Sequence, residues 1–492
     1  MILQPARVGR QLTVSLLLAA ALWSPSTASA DFVLYTVPGT TLTFLLDGDV
    51  TVNPGATVSL RHPRGKLHFS LRDCEIIKTK DNQQLHAIKL LQTRRSGTAD
   101  DYLKLALWCV ENGMIRKADE ALGEAWKVDP KHPKVRLMAQ LAKYRRGTVP
   151  GNEQVEKEMR DFVGIDRMKF VRSRHFALLH DTSDEKDEHR RQTIAEHRLE
   201  LLEKVYESFF MKYALEGVPL KIPRKPLRVV LFDEHANYLN FVRRIDPALK
   251  MAAGFYATKE NIAIFYRQKT DEAFRGADEL VAELQELRDR VRRDRVFGAG
   301  EIIRFAKTLE LLIDISGENQ EIEVVTHEAT HQLAANSGLL HREKFQLRWA
   351  HEGLASYFES PKEATWAGIG AVNESRLEYY RILERDPQHS TIEFVVTDKI
   401  FDYAGSHFAV QAAYGQAWAL THFLMDKHLP ELVEFYEKMA VDNFETSRDE
   451  AWQQKTMATF RECFGDLTKL ENEWRRYMRQ LKTDLELVAE YD

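Results

Sequence analysis

The segment at residues 321–336 carries the strongest structural signal in the chain and reads EIEVVTHEATHQLAAN. It contains neither Pro nor Gly, and Gly338 follows it as a helix stop, so the sequence predicts a helix here. His327 and His331 are four residues apart and therefore lie on one face of that helix. Two imidazoles in this arrangement can bind one Zn²⁺ at roughly 2.0–2.1 Å. Glu328 would project beside the open position of the metal, where it can take a proton from a bound water.

A second motif follows at a distance that suits a return loop and a second helix. It begins at Trp349 and reads WAHEGLASYFE, with small residues at Gly353 and Ala355 that permit close helix packing. Its Glu352 is a candidate third ligand, which would give a His₂Glu set with a fourth position open for water. The histidine pair alone would also suit a helix whose imidazoles are satisfied by hydrogen bonds. The second motif favours the metal site.

The two motifs together, HExxH and then WxxEGxAxY, resemble the gluzincin superfamily of zinc metallopeptidases, also called the peptidase MA clan. The resemblance extends over about residues 165–485. It is nearest to an exported bacterial branch whose members are mostly of uncharacterised function. It implies a Zn²⁺ cofactor held by His327, His331 and Glu352, with Glu328 as the general base.

The neighbouring residues separate this family from another and show a local departure from it. Metzincins need Gly at position 334 and His at position 337, where the chain has Ala334 and Ser337. Ser356 lies one turn after Glu352 and could hydrogen-bond it, whereas gluzincins often carry a carboxylate in such a supporting role. His351 adjoins Glu352 but is rotated by about 100° around the helix, so it is only a reserve ligand.

Three residues are candidates for stabilising a reaction oxyanion. Tyr414 lies on a predicted helix at residues 407–427, 62 positions after Glu352. Aminopeptidase-type gluzincins place an oxyanion-binding Tyr at a comparable distance, so the resemblance implies Tyr414 as a second catalytic residue. Tyr403 and His407 are alternatives for the same role. Tyr414 could instead belong to an aromatic stripe in the core.

The first thirty residues predict a secretory signal peptide. Arg7 and Arg10 form a positively charged start, residues 12–23 are almost wholly apolar, and Ala28-Ser29-Ala30 is a small-residue cleavage site. The apolar run is too short to span a bilayer of about 30 Å, which argues against a membrane anchor. We therefore expect cleavage near Ala30 and export to the periplasm or the extracellular space.

Composition and charge limit the classes of function. The chain of 492 residues is 44% hydrophobic and 29% charged, as in soluble globular proteins, and its length predicts two to four structural units. A formal net charge of −5 makes binding to a nucleic-acid backbone a poor hypothesis. The cysteines, Cys74, Cys109 and Cys463, are too few for a disulfide scaffold and lack metal-ligand spacing. One bridge, such as Cys74 to Cys109, is left open.

Changes in hydrophobic pattern along the chain predict an α+β protein of successive units. Short apolar runs between turn dipeptides indicate a small β-barrel or sandwich first. A helical segment resembling a tetratricopeptide repeat follows, which we expect to pack on its neighbours, with peptide docking as the alternative. Mixed strands and helices come next, then a charged helical insertion, then the helical half with the HExxH motif. The predicted units are the signal peptide at 1–30, the β-rich domain at 31–95, the repeat-like segment at 96–150, the α+β half at 155–270, the insertion at 271–318 and the helical half at 319–485.

These observations predict a zinc-dependent metallopeptidase that hydrolyses peptide bonds with a zinc-bound water activated by Glu328. A zinc hydrolase of a non-peptide amide is one alternative, because the same ligands would serve it. A binding or scaffold protein with a degenerate peptidase domain is another, although the intact ligand set argues against it. The expected partners are a peptide or protein substrate and, through the repeat-like segment, another protein. Neither nucleic acid nor a stable membrane span is expected.

Overall fold

The computed structural model describes residues 30–151, 153–165, 167–187, 190–296, 298–342, 344, 347–441 and 449–489, so the predicted signal peptide lies outside the described residues except for Ala30. The strands are β1 Ala30–Thr36, β2 Thr43–Asn53, β3 Thr57–His62, β4 Gly65–Ser70, β5 Cys74–Lys78, β6 Lys169–Arg172, β7 Phe176–His180, β8 Leu227–Phe232, β9 Gly254–Ala257, β10 Ile262–Tyr266, β11 Pro361–Lys362 and β12 Thr365–Trp366. The helices are α1 Asn82–Ser96, α2 Ala99–Glu111, α3 Ile115–Val128, α4 Pro133–Arg146, α5 Glu153–Val163, α6 Ile194–Glu216, α7 His235–Ile245, α8 Glu272–Arg293, α9 Ala299–Ser337, α10 Arg348–Phe358, α11 Glu374–Leu383, α12 Ile392–Val396, α13 Lys399–Asp402, α14 His407–Lys427, α15 Leu429–Val441, α16 Glu450–Phe464, α17 Leu467–Met478 and α18 Asp484–Val488. The protein is therefore a mixed α+β structure with a β-rich N-terminal region, as predicted.

The N-terminal region is a single five-stranded antiparallel sheet with the strand order β4-β3-β2-β1-β5. Its apolar face includes Val33, Tyr35 and Phe69, and it packs on Leu311 and Ile315 of α9. An apolar sheet face must be buried against a second layer, and here a helix supplies that layer. The predicted barrel or sandwich was therefore wrong, because the strands form one sheet and a helix covers its apolar face. That helix comes more than two hundred residues later in the chain.

Four helices, α1 to α4, follow this sheet. The predicted β-rich domain at 31–95 therefore ends in a helix, whose first turn is capped by the Asp81 carboxylate accepting from the Gln84 backbone nitrogen at 2.6 Å. α2 and α3 form an antiparallel hairpin that turns at Gly113, where φ is 68°. Arg145 at the end of α4 is buried and forms an ion pair with Glu207 of α6. The repeat-like segment is thus packed against the central part of the molecule.

The central unit is a five-stranded mixed sheet with the strand order β6-β7-β8-β10-β9. β7, β8 and β10 are parallel, and their side chains are almost wholly buried because helices cover both faces. α6 and α9 cover one face, and α5 and α7 cover the other. β6 and β9 are antiparallel edge strands. β9 is therefore the outermost strand on the side where the sheet meets α9.

Helix α9 is 39 residues long and links the N-terminal sheet to the HExxH motif. At 1.5 Å per residue it is about 58 Å long. The predicted boundary between an insertion at 271–318 and a helical half at 319–485 falls inside this helix. Residues 299–318 are therefore the first half of the motif-bearing helix, not part of a separate insertion. The helix continues through Gly317. The absence of a side chain at this glycine leaves room for Lys269, whose Cε would lie 2.8 Å from an added Cβ.

Among the C-terminal helices, α14 packs against both α10 and α11, and α10 also packs against α9. α10 crosses α14 at Gly353, where an added Cβ would lie 2.5 Å from the Ala417 carbonyl oxygen. α14 in turn crosses α11 at Gly415, where a Cβ would lie 2.9 Å from the Arg376 carbonyl oxygen. These two glycines allow the helix backbones to approach closely, so α10 is held in a fixed position beside α9.

Two further expectations can be compared with the fold. All three cysteines are free thiols, so the bridge left open between Cys74 and Cys109 does not form. In the part of the chain that the structure describes, no helix combines the length and the apolar character needed to cross a membrane.

Candidate metal centre

Two helices carry the three predicted metal ligands. His327 and His331 lie on α9, and Glu352 lies on α10. Glu352 Oε2 is 3.2 Å from His327 Nε2 and 3.7 Å from His331 Nε2, and the two Nε2 atoms are 3.1 Å apart. One ligand atom from each residue lies within 4.8 Å of the other two. The structure thus brings these three side chains to one point.

The separations between these donor atoms fit a tetrahedral metal ion. Ligands placed 2.0–2.1 Å from such an ion are about 3.3 Å from one another. The separations of 3.1, 3.2 and 3.7 Å lie around that value. Two imidazoles and one carboxylate also leave a fourth position free for a water molecule. The donor set therefore fits a catalytic rather than a closed structural metal site.

Glu359 orients His327 from the side away from the cluster. Its Oε2 is 2.7 Å from His327 Nδ1, which leaves Nε2 directed at the other two ligands. Arg376 Nε donates to Glu359 Oε1 at 2.7 Å, and Arg376 Nη1 donates to Gln411 Oε1 at 2.9 Å. A carboxylate on the second nitrogen of a metal-bound histidine fixes the orientation and tautomer of the ring. A chain of polar contacts therefore positions His327.

The charges in this cluster favour ionised carboxylates on Glu359 and Glu352. Burial raises the pKa of Glu359, but Arg376 and His327 outweigh burial and hold it at about 2. Burial also raises the pKa of Glu352, but hydrogen bonds from His327 and His331 hold it well below its usual range. Both groups can therefore act as anions, one as a ligand and one as a partner of a ligand.

Glu328 lies beside the ligands and against the edge strand. Burial raises the pKa of its carboxyl, and the two ligand histidines oppose that shift. An added Cβ at Gly254 of β9 would lie 3.2 Å from Glu328 Cγ and 2.9 Å from Val324 Cγ1. Gly254 is therefore required for β9 to approach α9 this closely. The Glu328 carboxylate, the candidate metal ligands of α9 and the edge strand β9 are therefore neighbours in space.

A cavity of about 450 Å³ opens over the cluster. β9, α9, α10 and α14 contribute to its walls, and Tyr414 is the residue that α14 supplies. The Tyr414 ring centroid is 6.3 Å from that of His327, and the Arg376 guanidinium lies 5.1 Å from the Tyr414 ring. The phenol of Tyr414 thus faces the space in front of the ligands.

The structure separates Tyr414 from its two rivals. Tyr403 is 70% exposed, and its ring lies against His389 and Phe394. His407 is exposed at the start of α14. Neither residue is among those that line the cavity over the metal ligands. Tyr414 is therefore the better placed of the three for contact with a reacting group.

One other sequence-based assignment, that of Ser356, differs from what is observed, and the role of His351 as a reserve ligand stays a prediction. Ser356 is buried, but its hydroxyl has no hydrogen-bond partner among the described residues, so it does not support Glu352. Glu359 supplies the supporting carboxylate instead, and it acts on His327. His351 lines the cavity, with its ring centroid 6.1 Å from that of His331.

Sequence reasoning missed three residues that shape the site. Glu359 lies seven positions after Glu352, about two helical turns, and this spacing was the available signal. Arg376 gave no signal, since a strand hairpin separates it from the motif. Asp398 gave none either, although its carboxylate accepts from the backbone nitrogens of Arg348 and Trp349 at 2.8 Å each and so caps α10.

Comparison with known proteins adds one finding. Residues 321–443 match a protein family, DUF1570, that is described as being of unknown function. No curated protein and no solved structure matches the chain. The matched segment contains all three candidate ligands, Glu328, Glu359, Arg376 and Tyr414. The comparison thus shows that the segment carrying the site is similar to this family, and it assigns the segment no reaction.

Proposed function

We propose that this protein is an exported zinc metallopeptidase of the gluzincin type. His327, His331 and Glu352 would hold the metal, and Glu328 would be the general base. The His₂Glu cluster carries this proposal, because its donor atoms are spaced like tetrahedral ligands and face an open cavity. The export is inferred from the first thirty residues alone.

Each polar group around the cluster has a distinct task in such a reaction. Bound zinc would polarise the attacking water and the substrate carbonyl. Glu328 accepts a proton from the water and passes it to the leaving amine. The Tyr414 hydroxyl donates a hydrogen bond to the oxyanion that develops on the substrate carbonyl. Glu359 keeps the His327 ring aligned throughout.

The edge strand favours a peptide over a non-peptide amide as the substrate. β9 is the last strand of its sheet, and Gly254, Phe255 and Tyr256 line the cavity. An extended peptide can add to such an edge through main-chain hydrogen bonds. A peptide bound in this way would pass in front of the metal ligands, since β9 lies against the helix that carries them.

Metal analysis and a peptide-library digest of the wild type and of Glu328→Gln test this proposal. We expect about one zinc per chain in both proteins, and a loss of cleavage of roughly 10²–10⁴-fold in the variant. Glu301→Gln, near the start of the same helix, is the matched control and should cleave like the wild type. A purified protein without zinc would contradict the metal site. Equal digestion by the wild type and Glu328→Gln would contradict the peptidase and leave the metal site standing.

A further inference from the structure

The cavity over the cluster contains positive charge that the proposed chemistry does not use. Apart from the three candidate ligands and Glu328, the charged side chains that line it are Arg342 and Arg348. No further carboxylate is among the described lining residues. Of the two arginines, Arg348 lies on the same helix as Glu352, and a negatively charged group of a substrate would be attracted to its guanidinium.

Arg348 is placed to act next to the metal. It is the first residue of α10 and lies four positions before Glu352, so the two side chains share one face of the helix. Its guanidinium lies 4.5 Å from the ring centroid of Phe401. Burial and the Glu352 carboxylate raise the pKa of Tyr414, and the Arg348 guanidinium opposes them through its charge and through a hydrogen bond to the Tyr414 side chain. The charge thus lies beside Tyr414 in the lining of the cavity.

Contacts within the protein account for only part of the hydrogen-bonding capacity of this charge, because the Arg348 guanidinium lies over the Phe401 ring and hydrogen-bonds Tyr414. A cation in the first turn of a helix interacts unfavourably with the helix dipole. The first backbone N–H groups of α10 already have an acceptor, because the Asp398 carboxylate accepts from the backbone nitrogens of Arg348 and Trp349. A guanidinium has several N–H donors, so donors beyond the one that hydrogen-bonds Tyr414 can bind a ligand, and paired N–H groups of arginine match a carboxylate well.

We propose that Arg348 binds a carboxylate of the substrate residue that adjoins the scissile bond, an inference that rests on the proposed peptidase function. The Cβ atoms of residues one helical turn apart are about 5–6 Å from each other, and one residue of an extended peptide spans about 3.3–3.8 Å. The anion that reaches Arg348 while the scissile carbonyl is at the metal therefore belongs to the next residue. Its source is either the α-carboxylate of a C-terminal residue or an acidic side chain.

Binding of metal-directed probes tests the proposal without relying on turnover. Three dipeptide hydroxamates are compared by calorimetry on the zinc-loaded protein. One ends in a free carboxylate, one in a carboxamide, and one in a carboxamide on a glutamate residue. We expect the first or the third to bind about 10-fold more tightly than the plain carboxamide, and which of them does identifies the source of the anion.

Variants then assign the preference to the side chain. Arg348→Gln should bind all three probes like the plain carboxamide, and Arg348→Lys should keep part of the preference. Arg72→Gln, an exposed arginine of the N-terminal sheet, removes the same charge and should behave like the wild type. If the wild type binds all three probes equally, or if Arg348→Gln weakens all of them alike, the proposal is overturned.

The same probes separate this proposal from the proposed function. If the anionic probes are preferred through Arg348 but no peptide is cleaved, the carboxylate site stands and the peptidase does not. If peptides are cleaved at equal kcat/KM with free and amidated ends, and with acidic and neutral neighbours, the peptidase stands and the carboxylate site does not. A protein that binds no zinc contradicts both.

Discussion

Glu359 connects His327, a candidate metal ligand, to Arg376, and replacing Glu359 tests the effect of this connection on metal binding. Glu359→Gln removes the charge that holds His327 Nδ1 and leaves Arg376 with a weaker partner. We expect zinc affinity to fall by about 10–100-fold, the usual effect of losing such a partner. Competition against a chelator measures this change directly.

The control for that measurement lies three residues earlier, in the last turn of α10. Ser356→Ala removes a hydroxyl that has no hydrogen-bond partner among the described residues, so zinc affinity should stay at the wild-type value. Unchanged affinity in Glu359→Gln would show that the orientation of His327 does not depend on this carboxylate.

Tyr414 is tested by removing one oxygen atom. Its ring lies near His327 and lines the cavity, so the hydroxyl is placed to meet an oxyanion. Tyr414→Phe should lower kcat by about 10²–10³-fold with little change in KM or zinc content, because the lost hydrogen bond forms only as the reaction proceeds. Tyr403→Phe, on an exposed residue outside the cavity, should retain wild-type kinetics. Equal losses in both variants, or none in Tyr414→Phe, would contradict the assignment.

At the scale of elements, the contact between β9 and α9 determines where a substrate could lie. A Cβ at Gly254 would meet Val324 Cγ1 at 2.9 Å and the Ile264 carbonyl oxygen at 3.1 Å. Gly254→Ala should therefore push the strand from the helix, with peptide cleavage reduced by more than 10-fold and a loss of about 1–3 kcal/mol in the free energy of unfolding. Peptide assays and urea unfolding measure the two effects.

α8 provides the matched control for this substitution. Gly276 lies inside that helix, and an added Cβ would meet no atom within 4 Å. Gly276→Ala should leave cleavage unchanged and stabilise the protein by about 0.5–1 kcal/mol, since alanine favours a helix. Cleavage at the wild-type rate in Gly254→Ala would show that β9 does not shape the site.

The elements that sequence patterns predicted well are those with a strong local signal. The runs at 176–180 and 227–232 coincide with β7 and β8, because buried parallel strands are continuously apolar. Helix 407–427 was also predicted with its observed bounds. Nothing in the sequence of the N-terminal strands indicated that their apolar face packs on Leu311 of α9, so the covering layer could not be predicted. Local pattern reveals which face is apolar but not which distant element buries it.

The candidate site shows the same division. His327, His331 and Glu352 could be named from spacing, because a helix places residues four apart on one face and the second motif is contiguous. Arg376 could not, since its link to the site passes through a turn and a hairpin whose geometry no short motif encodes. Contacts within one helix can be read from sequence, and contacts between elements mostly cannot.

At the scale of the whole molecule, α9 contacts the N-terminal sheet in its first half and carries two of the candidate metal ligands in its second half. Arg64, in the turn between β3 and β4, donates to Asp314 of α9 through Nε at 2.5 Å and through Nη2 at 2.8 Å. Lys269 donates to the same carboxylate at 2.8 Å. These contacts and the apolar face on Ile315 attach the sheet to the helix that holds His327. The stability of this attachment should therefore depend on the charge of Asp314.

Acid pH should weaken that attachment in a defined range. Burial raises the pKa of Asp314, but Arg64 and Lys269 outweigh burial and hold it at about 2. Its unfolded value is near 3.9, so its stabilising contribution is present above about pH 4 and is lost as the pH falls toward 2. Because the carboxylate is partly exposed, we expect only about 1–2 kcal/mol. Asp314→Asn should lack this component, which urea unfolding at pH 5 and pH 2.5 measures.

The control distinguishes this carboxylate from the general effect of acid. Asp278 of α8 is exposed, so Asp278→Asn should lose stability between pH 5 and pH 2.5 just as the wild type does. Asp314→Asn should begin less stable at pH 5 and lose less on acidification, since its missing group cannot be protonated. If Asp314→Asn followed the wild type in parallel over the whole range, the ion pair would contribute nothing to docking. The apolar contacts of the sheet with Leu311 and Ile315 would then be sufficient to hold it on α9.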